Sequence, residues 1–183
     1  MALSPALFLD RDGNLIVDGH HTSRPEQVEV LPGVRQALLA ALAAGYQLFI
    51  LTNQSGIGRQ IFTWEDYQAC HRRMLELLDL PPPGFTEVCA APERPDVPSL
   101  YRKPSPRFIL ECIERHGLDP SRCWMVGDRR TDWEAGLNAG IQSCAVRSGA
   151  PFKPGDIEHA QQHAVPIRAD FAEFTRLDLG LRG

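Results

Sequence analysis

Short apolar runs alternate along the chain with longer stretches in which apolar side chains recur every three or four residues. Ala6-Leu7-Phe8-Leu9 is a buried-strand pattern that closes on Asp10. After Pro32-Gly33, the residues Val34, Ala37, Leu38, Ala41 and Leu42 mark one face of a helix that stops near Gly45. Gln47 to Leu51 reads as a second strand, ending at Thr52-Asn53. Thr63 caps a helix running to about Leu78, with Glu65 and Asp66 in its first turn and a proline run behind it. Glu87 to Ala91 is a weaker strand, and Pro92 to Pro106 is a loop. Arg107 to His116 is helical, with Gly117 as its stop. Cys123 to Val126 is a third strong strand, followed by Gly127-Asp128. A helix from about Asp132 to Ala139 and a strand from Ile141 to Val146 come next. Beyond Arg147 the pattern supports only a loop, a strand near Val165 to Arg168 and a helix after Asp170.

This alternation predicts an α/β fold: a Rossmann-like parallel sheet with helices on both faces. No stretch between elements is long enough for a second core, so residues 1–183 read as a single domain without a large cap domain. The 43% hydrophobic and 23% charged content is that of a globular chain and excludes a disordered one. No segment approaches the roughly 20 apolar residues of a membrane span. The start, MALSPALFLDRDG, lacks the basic region of a signal peptide. A net charge of -4, with no Lys/Arg run longer than two, argues against nucleic-acid or membrane-surface partners. Five cysteines without a C-x-x-C pair suit a reducing cytoplasm.

Four polar signals fall at the C-terminal ends of predicted strands, the edge where open α/β sheets bind ligands. They are Asp10-x-Asp12-Gly13, Thr52-Asn53, Arg102-Lys103-Pro104 and Gly127-Asp128. Alone, Asp-x-Asp-Gly reads equally well as a turn. Together, Asp10, Asp12 and Asp128 place three negative charges that Mg²⁺ and the Lys103 ammonium would balance, which is the charge pattern of phosphoryl transfer. The Thr52 hydroxyl and the backbone N–H groups of Asn53 to Gly56 are candidate donors to phosphate oxygens. Gly56-Ile57-Gly58-Arg59 lacks the Lys-Ser/Thr of a P-loop.

The segments Phe8 to Gly13, Leu51 to Ile57, Arg102-Lys103-Pro104 and Val126-Gly127-Asp128 resemble the four ordered motifs of the haloacid dehalogenase superfamily. The likeness is strongest to the small, nearly capless branch that holds heptose bisphosphate and histidinol phosphate phosphatases. It spans about Ala6 to Gly149. The resemblance implies a Mg²⁺-dependent phosphomonoesterase working through an aspartyl-phosphate. It gives Asp10 the role of nucleophile and metal ligand. Asp12 becomes the general acid and base, with its backbone carbonyl on the metal, and Asp128 the remaining metal carboxylate. Thr52 and Lys103 stabilise the transferring phosphoryl group. Asp18, His21, Asn53, Gln54, Ser55, Arg102 and Arg129 are the expected substrate-binding set. Asp132 is either an acid behind the site or a helix cap.

This sequence also departs from the branch. Asn14 stands where Thr or Val is usual, and Arg129 where the heptose enzymes tend to have Lys. Many members bind structural zinc in the loop before the Arg-Lys-Pro motif. Here Cys89 has Ala91 in place of the histidine, and Ser99-Leu100-Tyr101 replace the later cysteines. One thiolate cannot hold tetrahedral zinc, so no structural zinc is expected. The expected substrate is a small phosphorylated sugar resembling a heptose bisphosphate, and the expected enzyme is a cytoplasmic monomer. Histidinol phosphate is the alternative substrate. A non-catalytic phosphate-binding member and a phosphotransferase are the other readings.

Overall fold

The computed structural model describes residues 3–181. Six strands form one sheet: β1 (Ser4–Leu9), β2 (Gln47–Asn53), β3 (Phe85–Ala91), β4 (Leu118–Gly127), β5 (Gln142–Val146) and β6 (Ile167–Arg168). Their order is β3-β2-β1-β4-β5-β6, and every neighbouring pair is parallel. The helices are α1 (Val34–Ala43), α2 (Ser55–Gly58), α3 (Trp64–Leu78), α4 (Arg107–His116), α5 (Arg130–Asn138), α6 (Asp156–Gln162) and α7 (Phe171–Leu177). No helix among the described residues is long and apolar enough to cross a membrane.

The two-residue period of β1 explains the layering. Leu7 and Leu9 face a core shared with Val34 and Leu38 of α1, Cys70 and Met74 of α3, and Phe171 and Phe174 of α7. Ala6 and Phe8 face the opposite core, with Phe108, Ile109 and Cys112 of α4 and Ala135 of α5. A strand buried on both faces reads as a continuous apolar run, which is why Ala6 to Leu9 is unmistakable in sequence. Trp133 and Ala145 join Ala160 and Val165 in a smaller cluster under α6.

Chain order places the site. From β1 the chain builds outward through β2 and β3, and from β4 outward the other way through β5 and β6. β1 and β4 are therefore neighbours at the reversal point, and the crevice beyond their carboxyl ends is the natural ligand position. The connection from β1 to α1 carries only isolated bridges and a one-turn 3-10 helix at Pro25–Gln27. No cap domain is inserted there, in keeping with the sequence expectation.

The elements depart from the expected pattern in several places, the unpredicted one-turn α2 among them. β4 begins at Leu118 rather than Cys123, running through the exposed residues Pro120, Ser121 and Arg122. β6 shrinks to two residues. α6 arises where no helix is predicted, because Ala160 is its only buried apolar side chain and leaves no periodic stripe to read. The expected helix starts are found. Thr63 accepts from the Asp66 amide at 3.1 Å, and the Asp66 carboxylate accepts from the Thr63 amide at 2.8 Å.

Candidate active site

Asp10 leaves the end of β1 and Asp128 the end of β4, so parallel pairing brings two carboxylates 118 positions apart in sequence to one crevice. Lys103 reaches them from the proline-rich loop between β3 and α4. Its Nζ lies 2.9 Å from Asp10 Oδ1 and 2.8 Å from Asp132 Oδ1, and all three side chains are buried. The loop is clamped to β2 by Asn53. The Asn53 Nδ2 donates to the Lys103 carbonyl at 3.1 Å, and the Lys103 amide donates to Asn53 Oδ1 at 2.9 Å. Asp132 does two things: its Oδ1 meets Lys103, and its Oδ2 accepts the Arg129 amide at 2.8 Å, at the start of α5. The acid behind the site is thus found, but the N-cap of α5 is Arg129; Asp132 stands at the third helical position and bonds back to it.

Burial pushes Asp10 up to about 7; Lys103 pulls it down, while Asp132 and Asp12 add repulsion. Burial likewise pushes Asp128 up to about 8, with Asp132 and Asp10 adding to the shift. For Lys103, burial favours the neutral amine, but Asp10 and Asp132 outweigh it and hold the ammonium above its ordinary range. The site is thus short of positive charge.

The donor set fits a divalent cation. Asp10, Asp128 and Asp132 present oxygens within 4.8 Å of one another, and they are the one such group of His, Cys, Asp or Glu among the described residues. Asp132 is already engaged, whereas Asp128 Oδ1 is buried with no hydrogen-bond partner. Asp128 Oδ2 accepts the Ala150 amide at 2.6 Å. Gly13 and Gly149 press against the same carboxylate. A Cβ on Gly13, whose φ is +82°, would stand 2.7 Å from Asp128 Oδ2 and 2.8 Å from Gly149 Cα. Glycine is required there by both conformation and space.

Asp12 points elsewhere. Its carboxylate accepts from Arg11 Nε and Nη2, each at 3.0 Å, and from Gln54 Nε2 at 2.8 Å. Gln54 Nε2 also lies 2.8 Å from the Thr52 hydroxyl. Asn14 is buried and ties the ends of β1 and β4 together, donating to the Asp10 carbonyl at 3.2 Å and the Val126 carbonyl at 3.3 Å. The unusual residue at this position therefore has a structural task.

The expected substrate-binding set divides. The Asn53 and Gln54 side chains turn inward to Lys103 and to Asp12 and Thr52, and the Gln54 amide is taken by the Ala91 carbonyl at 2.7 Å. Ser55 opens α2. Asp18 and Arg129 meet each other, Nη2 to Oδ2 at 2.9 Å. His21 is exposed, with φ at +76° and its ring 6.0 Å from that of Phe62. Arg102 donates to the Glu93 carbonyl at 3.1 Å. Its guanidinium is held below its usual range by burial, then by the positive charges of Arg59 and, after an opposing pull from Glu93, Arg129. Arg59 and Arg129 thus lie close enough to repel Arg102, and Arg129 also reaches the buried acids, its Nε 3.9 Å from Asp128 Oδ2. Cys89 lies half-buried on β3, and burial raises its thiol to about 11, which keeps it protonated. Sequence reading missed the Arg11 fork and the Gly149-Ala150 support of Asp128. The only signal for the first was a charge between two aspartates, and for the second a Ser-Gly-Ala turn after β5.

Comparison with known proteins agrees with this geometry. The HAD-hydrolase-like family profile matches residues 100–174. A D-glycero-beta-D-manno-heptose-1,7-bisphosphate 7-phosphatase from Rhodopseudomonas palustris is 36% identical over 144 residues, covering 75% of this chain and 80% of that protein. The crystal structure of a D,D-heptose 1,7-bisphosphate phosphatase from B. bronchiseptica, complexed with magnesium and phosphate, superposes with a TM-score of 0.83. It is 25% identical, and the match covers 96% of this chain and 98% of that one. A histidine biosynthesis bifunctional protein from Legionella pneumophila is 31% identical over 137 residues, covering 74% of this chain but 39% of that protein. The chain belongs to the HAD-like hydrolases. Within that class it is a phosphatase, a hydrolase of phosphoric monoesters.

Proposed function

We propose that this phosphatase is Mg²⁺-dependent and removes a phosphate from a heptose 1,7-bisphosphate-like sugar through an aspartyl-phosphate on Asp10. The observation that carries the reading is the buried Asp10–Lys103–Asp132 contact beside the unpartnered Asp128 Oδ1, at the β1–β4 reversal point. Asp10 Oδ1 faces Lys103 and the Arg11 amide, at 2.9 and 2.7 Å. Oδ2 accepts no hydrogen bond among the described residues and is the attacking atom.

Oδ2 bonds to phosphorus as the sugar oxygen leaves, and Asp12 gives that oxygen its proton. Water then attacks the aspartyl-phosphate, yields its proton to Asp12, and frees Asp10 and inorganic phosphate. Lys103 and the Thr52 hydroxyl stabilise charge on the phosphoryl oxygens. Asp10, Asp128 and the Asp12 carbonyl would hold Mg²⁺, which when bound would supply the positive charge these buried acids lack.

Arg59, Arg102 and Arg129 favour a substrate with a second anionic group. Histidinol phosphate would bring a cationic amine to a place where Arg102 already feels two other cations. The net charge of -4 also disfavours a nucleic-acid substrate. We read the protein as a cytoplasmic monomer acting on a small metabolite.

The test is phosphate release with Mg²⁺ from heptose 1,7-bisphosphate and from histidinol phosphate, side by side. A kcat/KM at least about tenfold higher for the sugar is expected, equivalent to about 1.4 kcal/mol. Equal or better turnover of histidinol phosphate overturns the sugar preference. Release from neither compound overturns the substrate assignment. Transfer of phosphate to added alcohols in place of water would make the protein a phosphotransferase.

A further inference from the structure

Arg11 sits between the nucleophile and the acid of the first motif, and it is 1% exposed. A buried guanidinium needs partners, because removing it from water is unfavourable. Among the described residues its side chain donates to Asp12 alone, through Nε and Nη2 at 3.0 Å each, while Nη1 is buried without a partner. An arginine serving only to brace the loop would reach backbone carbonyls, as Arg35 does at Leu78 and Asp79. The fork is held from behind. The guanidinium carbon lies 4.8 Å from the centroid of the Tyr67 ring on α3. That ring also packs near-parallel to the rings of Trp64 and His71, with centroids 5.2 and 5.7 Å away. Tyr67 Oη has no hydrogen-bond partner, so Tyr67 supports Arg11 through its face.

We propose that Arg11, backed by Tyr67, is the positioning residue that fixes the rotamer from which Asp12 serves the leaving group. The proposal rests on the reading of Asp12 as general acid and base. Asp12 is short and 22% exposed in its side chain. Without the planar fork, staggered alternatives open to it and only Gln54 restrains it. A proton donor displaced by about 1 Å loses on the order of a hundredfold in rate. That loss falls on substrates whose leaving oxygen needs a proton, and spares those whose leaving group does not.

The experiment compares kcat/KM, which reports expulsion of the leaving group, for glycerol 3-phosphate and p-nitrophenyl phosphate. The proteins are wild type, Asp12→Asn, Arg11→Met, Arg11→Lys and Tyr67→Leu, each assayed with Mg²⁺ and checked by thermal melting. Asp12→Asn should lose about 10²- to 10⁴-fold more on the alkyl than on the aryl ester. Arg11→Met should reproduce that split at about 10- to 100-fold. Arg11→Lys keeps the charge but not the fork and should show the split too; Tyr67→Leu should show it more weakly. If Asp12→Asn splits the substrates and the Arg11 variants affect both equally, or neither, the positioning role is overturned and the Asp12 reading stands. If Asp12→Asn shows no split, the acid-base reading itself fails. Should Arg11→Met not fold, Arg11→Lys and Tyr67→Leu decide, and absence of a split in both overturns the proposal.

Discussion

Without a cation, folding must bury Asp10 and Asp128 beside Asp132 with Lys103 as their nearest counter-charge. Asp10 then binds its proton up to about 7 and Asp128 up to about 8, against an ordinary 3.8 for both. A carboxylate whose folded value is raised contributes stability that is complete below the unfolded value and is lost as pH rises through the folded one. The metal-free protein should therefore weaken with rising pH. The clean window is pH 6.5 to 8. Burial lowers His71 to about 4 and also lowers His159; their opposite slope is at most about half a proton each at their ordinary 6.5 and fades to about a tenth one pH unit higher, so it subtracts only at the bottom of the window. The buried cysteines are raised from 9.0 and act only above the window. Within it the folded state holds about one proton more than the unfolded one. At about 1.4 kcal/mol per proton and pH unit, the loss is about 2 kcal/mol. For a chain of this length that is roughly 4–8 °C in Tm. The assay is thermal and urea unfolding from pH 6.5 to 8, in chelator and in saturating Mg²⁺. Mg²⁺ should stabilise more at pH 8 than at 6.5 and flatten the slope, and Asp128→Asn should flatten it in chelator. A metal-free stability that is constant or rises over this window would refute the reasoning.

Asp10→Asn should abolish turnover while leaving the circular dichroism spectrum unchanged, because the amide is nearly isosteric but cannot form an acyl phosphate; substantial turnover in the pure variant would sink the covalent route. Gly13→Ala should destabilise by about 2–4 kcal/mol in urea unfolding, from a positive-φ penalty of about 1–2 and overpacking of about 1–3. It should also weaken Mg²⁺ binding measured by calorimetry, since its Cβ would press on Asp128. Asp132→Asn removes one of two anions from Lys103 but also relieves repulsion on Asp10 and Asp128. Its cost should therefore be about 1–2 kcal/mol rather than the 3–5 of a fully broken buried pair, with kcat down at least about tenfold; unchanged kcat would mean that Lys103 needs no second carboxylate.

Strands buried on both faces and helices with strong caps were legible because their physics is local. The run Ala6 to Leu9 needs no knowledge of its partners to be apolar throughout, and Thr63 with Asp66 writes a helix start within four residues. The same locality made Asp10, Asp12, Lys103 and Asp128 stand out, since each follows a strand or ends a loop where side-chain chemistry is not demanded by packing. α6 was illegible because a single buried Ala160 leaves no period.

The chain's order of strands and motifs determined which acids could face one another, and their residue types determined that the meeting place would be negative. Lys103 was legible as one answer to that charge; which groups hold it and its neighbours in place was decided by tertiary structure. Asn53 proved to be a clamp on the Lys103 loop, and Gln54 a neighbour of Asp12, because β2 ends beside β3 and presents both side chains inward. Arg11 faces Asp12 rather than solvent because Tyr67, fifty-six positions later, offers a ring against which a buried guanidinium can rest. A hydrogen bond across such distances depends on angles and fractions of an ångström, and one-dimensional order carries no record of them.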